Sequence, residues 1–158
     1  MLALKENVAA VVPYAIPAWH PMVVHFPLAL VVCATLALLV AKLLPNPRVA
    51  AALATTGTWN LGVGAVGSVF ALATGLGAAL HLHVAAPARQ ALSMHVRWAV
   101  FTALALLLLA TWRCAGNAQD ARPSWLLLIV LIAATAALVV TGYLGGQNVY
   151  RFGIGVHG

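Results

Sequence analysis

The chain has 158 residues, of which 64% are hydrophobic and only 6% are charged, and its formal net charge is +6. A soluble domain of this composition would have too few polar residues to cover its surface, so the composition excludes a soluble globular protein and indicates an integral membrane protein. The eight basic residues lie between apolar runs rather than in one block. This distribution suits contact with the head groups of a lipid bilayer and argues against binding of nucleic acid.

Four apolar runs follow a short N-terminal segment, and each is long enough to cross a bilayer as a helix of about twenty residues. We read residues 1–19, which Pro13 and Pro17 interrupt, as an arm at the membrane interface. The predicted spans are 21–44, 50–80, 92–112 and 124–144, and a glycine-rich tail covers 145–158. The sequence therefore predicts an all-α fold, an integral membrane four-helix bundle that forms a single domain.

Local signals support the ends of these spans. Pro45 and Pro47 forbid continuation of the first helix, and Ser124, which follows Pro123, is a suitable N-cap for the fourth. The glycines of "TGYLGGQN" predict the end of the fourth span near residue 144. Pro27, near the start of the first span, predicts a kink there.

All six histidines are predicted to lie on one face of the membrane. Four crossings place both termini and the loop between the second and third spans on this face, and the other two loops contain no histidine. The six residues are His20, His25, His81, His83, His95 and His157.

His25 and His95 are the first candidates for a cofactor site. Both lie inside predicted spans that are not consecutive, and ionisable groups at such depth are expected to face the bundle interior, where four-helix bundles build cofactor sites. We expect these imidazoles to be axial ligands of a haem b iron. The alternative is a pair of interfacial histidines that bond backbone carbonyls or water.

Further histidines and two arginines are secondary candidates. His20 with either His81 or His83 is a possible second site, although residues 81 and 83 point about 200° apart on a helix and cannot both face one pocket. Arg97 and Arg151 would lie on the same face, where each could neutralise haem propionates, quinone oxygens or lipid phosphates.

The rest of the chain offers little other chemistry. There is no paired carboxylate, Walker loop or dinucleotide fingerprint, so we expect a bound cofactor to carry any reaction. Copper or zinc bound by the same histidines is an alternative to haem, because histidines alone do not choose among these metals.

A stripe of small residues runs along the second predicted span, at spacings of four and three. Such stripes usually permit close packing of membrane helices, although a flat macrocycle lying against the stripe would use the same space. The residues are Gly64, Ser68, Ala71, Gly75 and Ala78.

Two stretches, "HPMVVHFPLAL" (20–30) and "TGYLGGQNVYRFGIGV" (141–156), resemble the signatures of a bacterial family of small four-helix membrane proteins classed as a domain of unknown function. The resemblance extends over the four-span layout, and His95 looks like the family's next histidine. This chain has Phe152 between Arg151 and Gly153, so a possible ligand is missing here in comparison with any relative that carries histidine at this position. The matching residues are His20, Pro21, His25, Phe26, Pro27, Gly142, Gly145, Gly146, Tyr150, Arg151, Gly153 and Gly155.

The resemblance implies a role near electron transfer, because members of this family occur fused to c-type cytochrome or Rieske domains. We therefore expect a small b-type cytochrome-like electron carrier with a redox partner protein or membrane complex. The alternative is a non-catalytic subunit of a larger respiratory or photosynthetic complex, and a homo-oligomer is compatible with either. Loop charge does not decide orientation. The fusions favour a bacterial inner membrane protein whose histidine face is periplasmic. The glycines at 142, 145, 146, 153 and 155 predict that the tail turns sharply after the fourth span and caps the histidine site.

Overall fold

The computed structural model describes residues 19–80, 84, 86–116 and 122–155. Within these ranges the chain forms five helices, and the first two make up one span. The predicted interfacial arm lies outside the described residues except for Trp19. The helices are α1 (Trp19–Val23), α2 (His25–Leu43), α3 (Pro47–Leu80), α4 (Ala86–Ala115) and α5 (Trp125–Tyr150).

The four spans confirm the predicted all-α membrane bundle. Each is long and apolar enough to cross a bilayer. The observed helices extend beyond the predicted spans, most clearly at the start of α4 and at the end of α5. In a bilayer every backbone N–H and C=O needs a partner within the segment, so the helical hydrogen bonds persist past residues that would end a helix in water.

The break between α1 and α2 at Val24 follows from Pro27. Proline has no backbone N–H, and its ring collides with the carbonyl of the residue four positions earlier, which here is Val23. The chain resumes a helix at His25, and the N–H of Leu28 bonds the carbonyl of Val24 over 3.4 Å. The kink predicted from Pro27 therefore appears as a short interruption within the first span.

Polar caps begin α3 and α5. The side chain of Asn46 accepts hydrogen bonds from the N–H groups of Arg48 and Val49, at 3.0 and 3.3 Å. The predicted N-cap Ser124 is confirmed, since its hydroxyl accepts the N–H of Leu127 at 3.1 Å.

The predicted end of the fourth span at the glycines of "TGYLGGQN" is wrong. Helix α5 runs through Gly142, Gly145 and Gly146 to Tyr150. Glycine costs about 1 kcal/mol in a helix, which is less than the cost of unpaired backbone groups in hydrocarbon. The helix ends at Tyr150, and Gly153, which follows the C-cap Arg151, has a φ of 63° and donates its N–H to the carbonyl of Val149.

The core is an apolar layer to which all four spans contribute. Small residues on α3 bring α2 close, since a Cβ at Gly57 would lie 2.7 Å from Leu38 Cγ and one at Gly64 would lie 2.9 Å from Val31 Cγ2. The first span therefore packs on the small-residue stripe at Gly64, and His20 contacts it at Gly75, so these contacts support the packing interpretation at both positions.

The hairpin of the first two spans and the hairpin of the last two bury residues at matching positions. Pro27, Val31, Ala34 and Leu38 correspond, at one constant offset along the chain, to the buried Thr102, Leu106, Leu109 and Arg113. The same offset relates His20 to His95. A second constant offset relates Leu61, Gly64, Ala71 and Gly75 on α3 to Leu131, Ala134, Thr141 and Gly145 on α5. The two hairpins repeat one packing pattern, in which the two histidines are equivalent.

Candidate cofactor site

Two histidines face each other at one end of the bundle, and they come from the first and third spans. The ring centroids of His20 and His95 are 6.5 Å apart, and the ring planes make an angle of 73°. Both side chains are half-buried. The structure therefore brings two imidazoles from non-consecutive spans close together.

Each imidazole is held through its Nδ1 by the backbone of the next span. His20 Nδ1 lies 3.0 Å from the carbonyl oxygen of Ala71 and 3.2 Å from Thr74 Oγ1. His95 Nδ1 lies 3.0 Å from the carbonyl oxygen of Thr141. A carbonyl oxygen only accepts, so these partners assign the proton to Nδ1 in both rings. The lone pair of each Nε2 is then available, and neither Nε2 has a hydrogen-bond partner within the described part of the chain.

A glycine lies against each ring, one helical turn beyond the carbonyl that holds it. A Cβ at Gly75 would lie 2.8 Å from His20 Cε1, and a Cβ at Gly145 would lie 3.1 Å from His95 Cε1. Both glycines have helical backbone conformations, so they are needed because they let the imidazole approach the helix backbone closely and not because of an unusual φ. The absence of a side chain allows each imidazole to reach the carbonyl on the neighbouring helix.

A second polar contact supports the half of the site that contains His95. Thr141 donates its hydroxyl to the carbonyl of Ala137 at 2.8 Å, and its Oγ1 lies 3.1 Å from the Oγ1 of the buried Thr102. This bond joins α4 to α5 about two turns from His95. It positions the helix that supplies the carbonyl for the imidazole.

The predicted partner of His95 differs from the observed one. His25 is exposed, whereas His20, which was predicted to lie nearer the interface in a second site, faces His95. Five residues of helix rotate the chain by about 140°, so the two histidines of the first span point in different directions. A sequence in which both lie near the membrane boundary does not show which one points inward. His81, His83 and His157 lie outside the described residues.

The two predicted arginines are exposed and lie apart from the contacts that hold the imidazoles. The guanidinium carbon of Arg151 lies 5.6 Å from the ring centroid of Phe152. An exposed pair of this kind contributes little to stability. A role for Arg97 or Arg151 in neutralising a bound group stays a prediction.

The tail folds back onto the end of α5 in the part that the structure describes. Gly153 and Gly155 have positive φ values of 63° and 79°, and the N–H of Ile154 bonds the carbonyl of Asn148 over 2.9 Å. Ile154 is buried. The predicted turn occurs at Gly153 and Gly155, whereas Gly142, Gly145 and Gly146 belong to the helix. A cap over the histidines stays a prediction.

Sequence reasoning missed the polar partners of the imidazoles, namely the carbonyl of Ala71, Thr74 and Thr141. The available signal was the small-x-x-x-small spacing, which occurs as Ala71 with Gly75 and again as Thr141 with Gly145. The same spacing occurs on the helix that follows each of the two histidines, and this repetition would have indicated that both imidazoles contact the next helix in the same way.

The candidate ligand set consists of two nitrogen atoms. Across residues 19–80, 84, 86–116 and 122–155, no group of three or more His, Cys, Asp or Glu side chains could hold a metal ion together. Both cysteines, Cys33 and Cys114, are free and exposed. A metal bound by these two imidazoles would therefore need further ligands from outside this part of the chain.

Comparison with protein families gives a match over nearly the whole chain. Residues 16–158 match the family described as "Predicted membrane protein (DUF2231)". Comparisons with curated proteins and with solved structures gave no match. The match includes all four spans and both histidines of the pair. The chain therefore belongs to this family of predicted membrane proteins.

Proposed function

We propose that the protein is a b-type cytochrome-like electron carrier in which His20 and His95 bind the iron of haem b. The observation that carries the proposal is the separation of the two rings. The ring centroids of His20 and His95 lie 6.5 Å apart, so the first and third spans bring two imidazoles together at one end of the bundle, where they would hold the iron.

The hydrogen bonds to Nδ1 support the same role. Histidines that bind metals usually donate the other ring N–H to a carbonyl or carboxylate, which fixes the ring and increases its basicity as a ligand. His20 and His95 both have this arrangement, with the carbonyls of Ala71 and Thr141 as acceptors. Within the described residues neither Nε2 has a hydrogen-bond partner, so both are available to bind iron in this proposal.

The number of ligands favours haem over zinc. Structural zinc takes four protein ligands and catalytic zinc takes three, whereas a porphyrin leaves only the two axial positions of iron to the protein. Two imidazoles on equivalent helices satisfy that requirement. Copper bound by the same two nitrogens is the second candidate, because two imidazoles suit copper without a macrocycle.

Bound haem would supply one-electron chemistry at this position. The chain's own residues would hold the iron, exclude water through the apolar core, and tune the potential through the axial ligands and the low dielectric of the bundle. A carrier of this kind exchanges electrons with a redox partner protein or membrane complex. We place the histidine face in the periplasm of a bacterial inner membrane, on the strength of the resemblance to proteins fused to c-type cytochrome or Rieske domains.

The test is an absorption spectrum of the detergent-purified protein, oxidised and dithionite-reduced, after expression with ample haem. We expect a Soret band and sharp reduced α and β bands, which His20→Ala and His95→Ala remove. His25→Ala is the matched control, because this exposed histidine lies in the same span and should leave the spectrum unchanged. Circular dichroism and a monodisperse elution profile establish that each variant is folded.

Other outcomes would contradict the proposal in distinguishable ways. Loss of the bands in His25→Ala with retention in His20→Ala would show that a different histidine binds the iron. A colourless protein with about one copper or zinc per chain would replace haem by a bare metal ion. A colourless, metal-free protein would favour the non-catalytic subunit of a larger complex.

A further inference from the structure

A cavity of about 180 Å³ lies at the end of the bundle opposite the histidines, where α4 ends and α5 begins. Its lining includes two arginines and the first residues of α5, and we call it the Arg113–Arg122 cavity. The residues that matter here are Arg113, Arg122, Ser124 and Leu127. None of them contributes to the proposed haem site.

Arg113 is a buried cation to which the described residues supply one hydrogen-bond partner. Its side chain is only 9% exposed, and its Nε donates to Thr58 Oγ1 over 3.1 Å. Thr58 in turn donates to the carbonyl of Ala54 at 2.7 Å, so the hydroxyl is correctly oriented to accept. A guanidinium has five N–H donors, and this contact uses one of them. A buried charge is costly unless an anion or several acceptors neutralise it.

The described residues contain no carboxylate that could serve as this anion. The chain has only two acidic side chains, Glu6 and Asp120, and both lie outside the residues that the structure describes. The other wall of the cavity adds positive charge, because Arg122 also lines it and is fixed by a bond of 3.0 Å from Nη2 to the carbonyl of Leu44.

The N-terminus of α5 adds backbone donors to the same cavity. Ser124 caps the N–H of Leu127 at 3.1 Å, and both residues line the cavity, so the first turn of this 26-residue helix lies at its wall. The first turn of a helix favours anions, since its N–H groups are unpaired and the helix dipole is positive there. A buried arginine, a second arginine and a helix terminus thus converge on one space.

We propose that the Arg113–Arg122 cavity binds a phosphate group, either that of an anionic phospholipid or free phosphate. Arginine and helix N-termini both match phosphate oxygens in geometry and charge. The cavity lies at the level where tryptophans mark the membrane boundary, since Trp112 lines it and Lys42 Nζ lies 5.4 Å from the Trp125 ring centroid. A phospholipid head group would reach this level from the bilayer.

The experiment measures binding of two probes to the purified full-length protein. Nanodiscs of phosphatidylcholine with increasing phosphatidylglycerol test the lipid source, and inorganic phosphate added to protein in phosphatidylcholine nanodiscs tests the free anion. Thermal unfolding and native mass spectrometry report occupancy. We expect saturable stabilisation, with affinity reduced about tenfold in Arg122→Gln through loss of a charge-assisted contact.

Arg48→Gln is the matched control, because Arg48 is exposed on the same membrane face and does not line the cavity. Arg113→Gln should abolish binding if it folds, and Arg122→Gln provides the test if it does not. Stabilisation by phosphatidylglycerol alone assigns a lipid head group, and stabilisation by inorganic phosphate as well assigns a site open to free phosphate.

Two results would overturn the proposal. Equal weakening in Arg48→Gln and Arg122→Gln would show nonspecific attraction to an anionic surface. In the second result, the wild type binds neither probe and Asp120→Asn gains binding. This would show that Asp120 of the chain already neutralises the charge of the cavity. The absorption spectrum should be unchanged in every variant, so this inference and the haem proposal succeed or fail separately.

Discussion

Substitution of Gly75 by alanine tests the geometry that holds His20. The added Cβ would lie 2.8 Å from His20 Cε1, and ordinary van der Waals contact begins near 3.4 Å. The imidazole must therefore move by about 0.6 Å, which would stretch the Nδ1···O contact to Ala71 from 3.0 Å toward the limit of a hydrogen bond. Loss of such a bond costs about 1 kcal/mol, or about a fivefold change in affinity for a group bound by His20.

Three other glycines make this prediction quantitative. Gly145→Ala should have a smaller effect on His95, because its Cβ would lie 3.1 Å from Cε1 and needs a shift of only about 0.3 Å. Gly62→Ala and Gly142→Ala are matched controls on α3 and α5, since a Cβ at either position meets nothing within 4 Å. Both controls should be neutral or slightly stabilising, because alanine is the better helix former.

The assay is titration of haem into the apoprotein, followed at the Soret band, together with thermal unfolding of the apoprotein. We expect affinity to fall in the order wild type, Gly145→Ala, Gly75→Ala, and the apoprotein melting temperature to fall in the same order. Equal behaviour of Gly75→Ala and Gly62→Ala in both measurements would refute the argument that the imidazole packs against the bare backbone of α3.

Three further predictions concern the bundle and its orientation. Thr35→Val removes the 2.7 Å hydrogen bond to Thr135 that joins α2 to α5, and it should lower the unfolding free energy in detergent by about 0.6 kcal/mol. Thr111→Val is the control and should leave this free energy unchanged, because the Thr111 hydroxyl bonds the carbonyl of Leu108 in its own helix. Ser124→Ala removes the cap of α5 and should cost about 1 kcal/mol in the same assay, with Ser124→Asp restoring it. The exposed Cys114 lies at the end of α4 opposite the histidines, so a periplasmic histidine face places it in the cytoplasm. It should then react with a membrane-impermeant maleimide only after the cells are opened. Labelling of Cys114 in intact cells would place the histidine face in the cytoplasm.

The position of His25 shows where sequence reasoning reached its limit. The number of spans could be predicted because a long apolar run has few alternatives to a membrane helix. The inward-facing side of a membrane helix is harder to predict, since lipid-facing and core-facing residues are both apolar and the usual amphipathic contrast is absent. His20 and His25 could be separated only by the packing of α1 and α2 against α3.

The sequence by itself determined the membrane class, the four spans and the cap at Ser124. It also determined that the histidines that the structure describes share one face. These properties follow from composition, run length and local capping, which act within single segments. Only the tertiary structure decided that His20 and not His25 faces His95, and that the carbonyls of Ala71 and Thr141 hold the two rings. These contacts join residues that lie far apart along the chain, and they depend on helix rotation and on the close approach that glycine allows. Neither property is encoded by the residues of one helix alone.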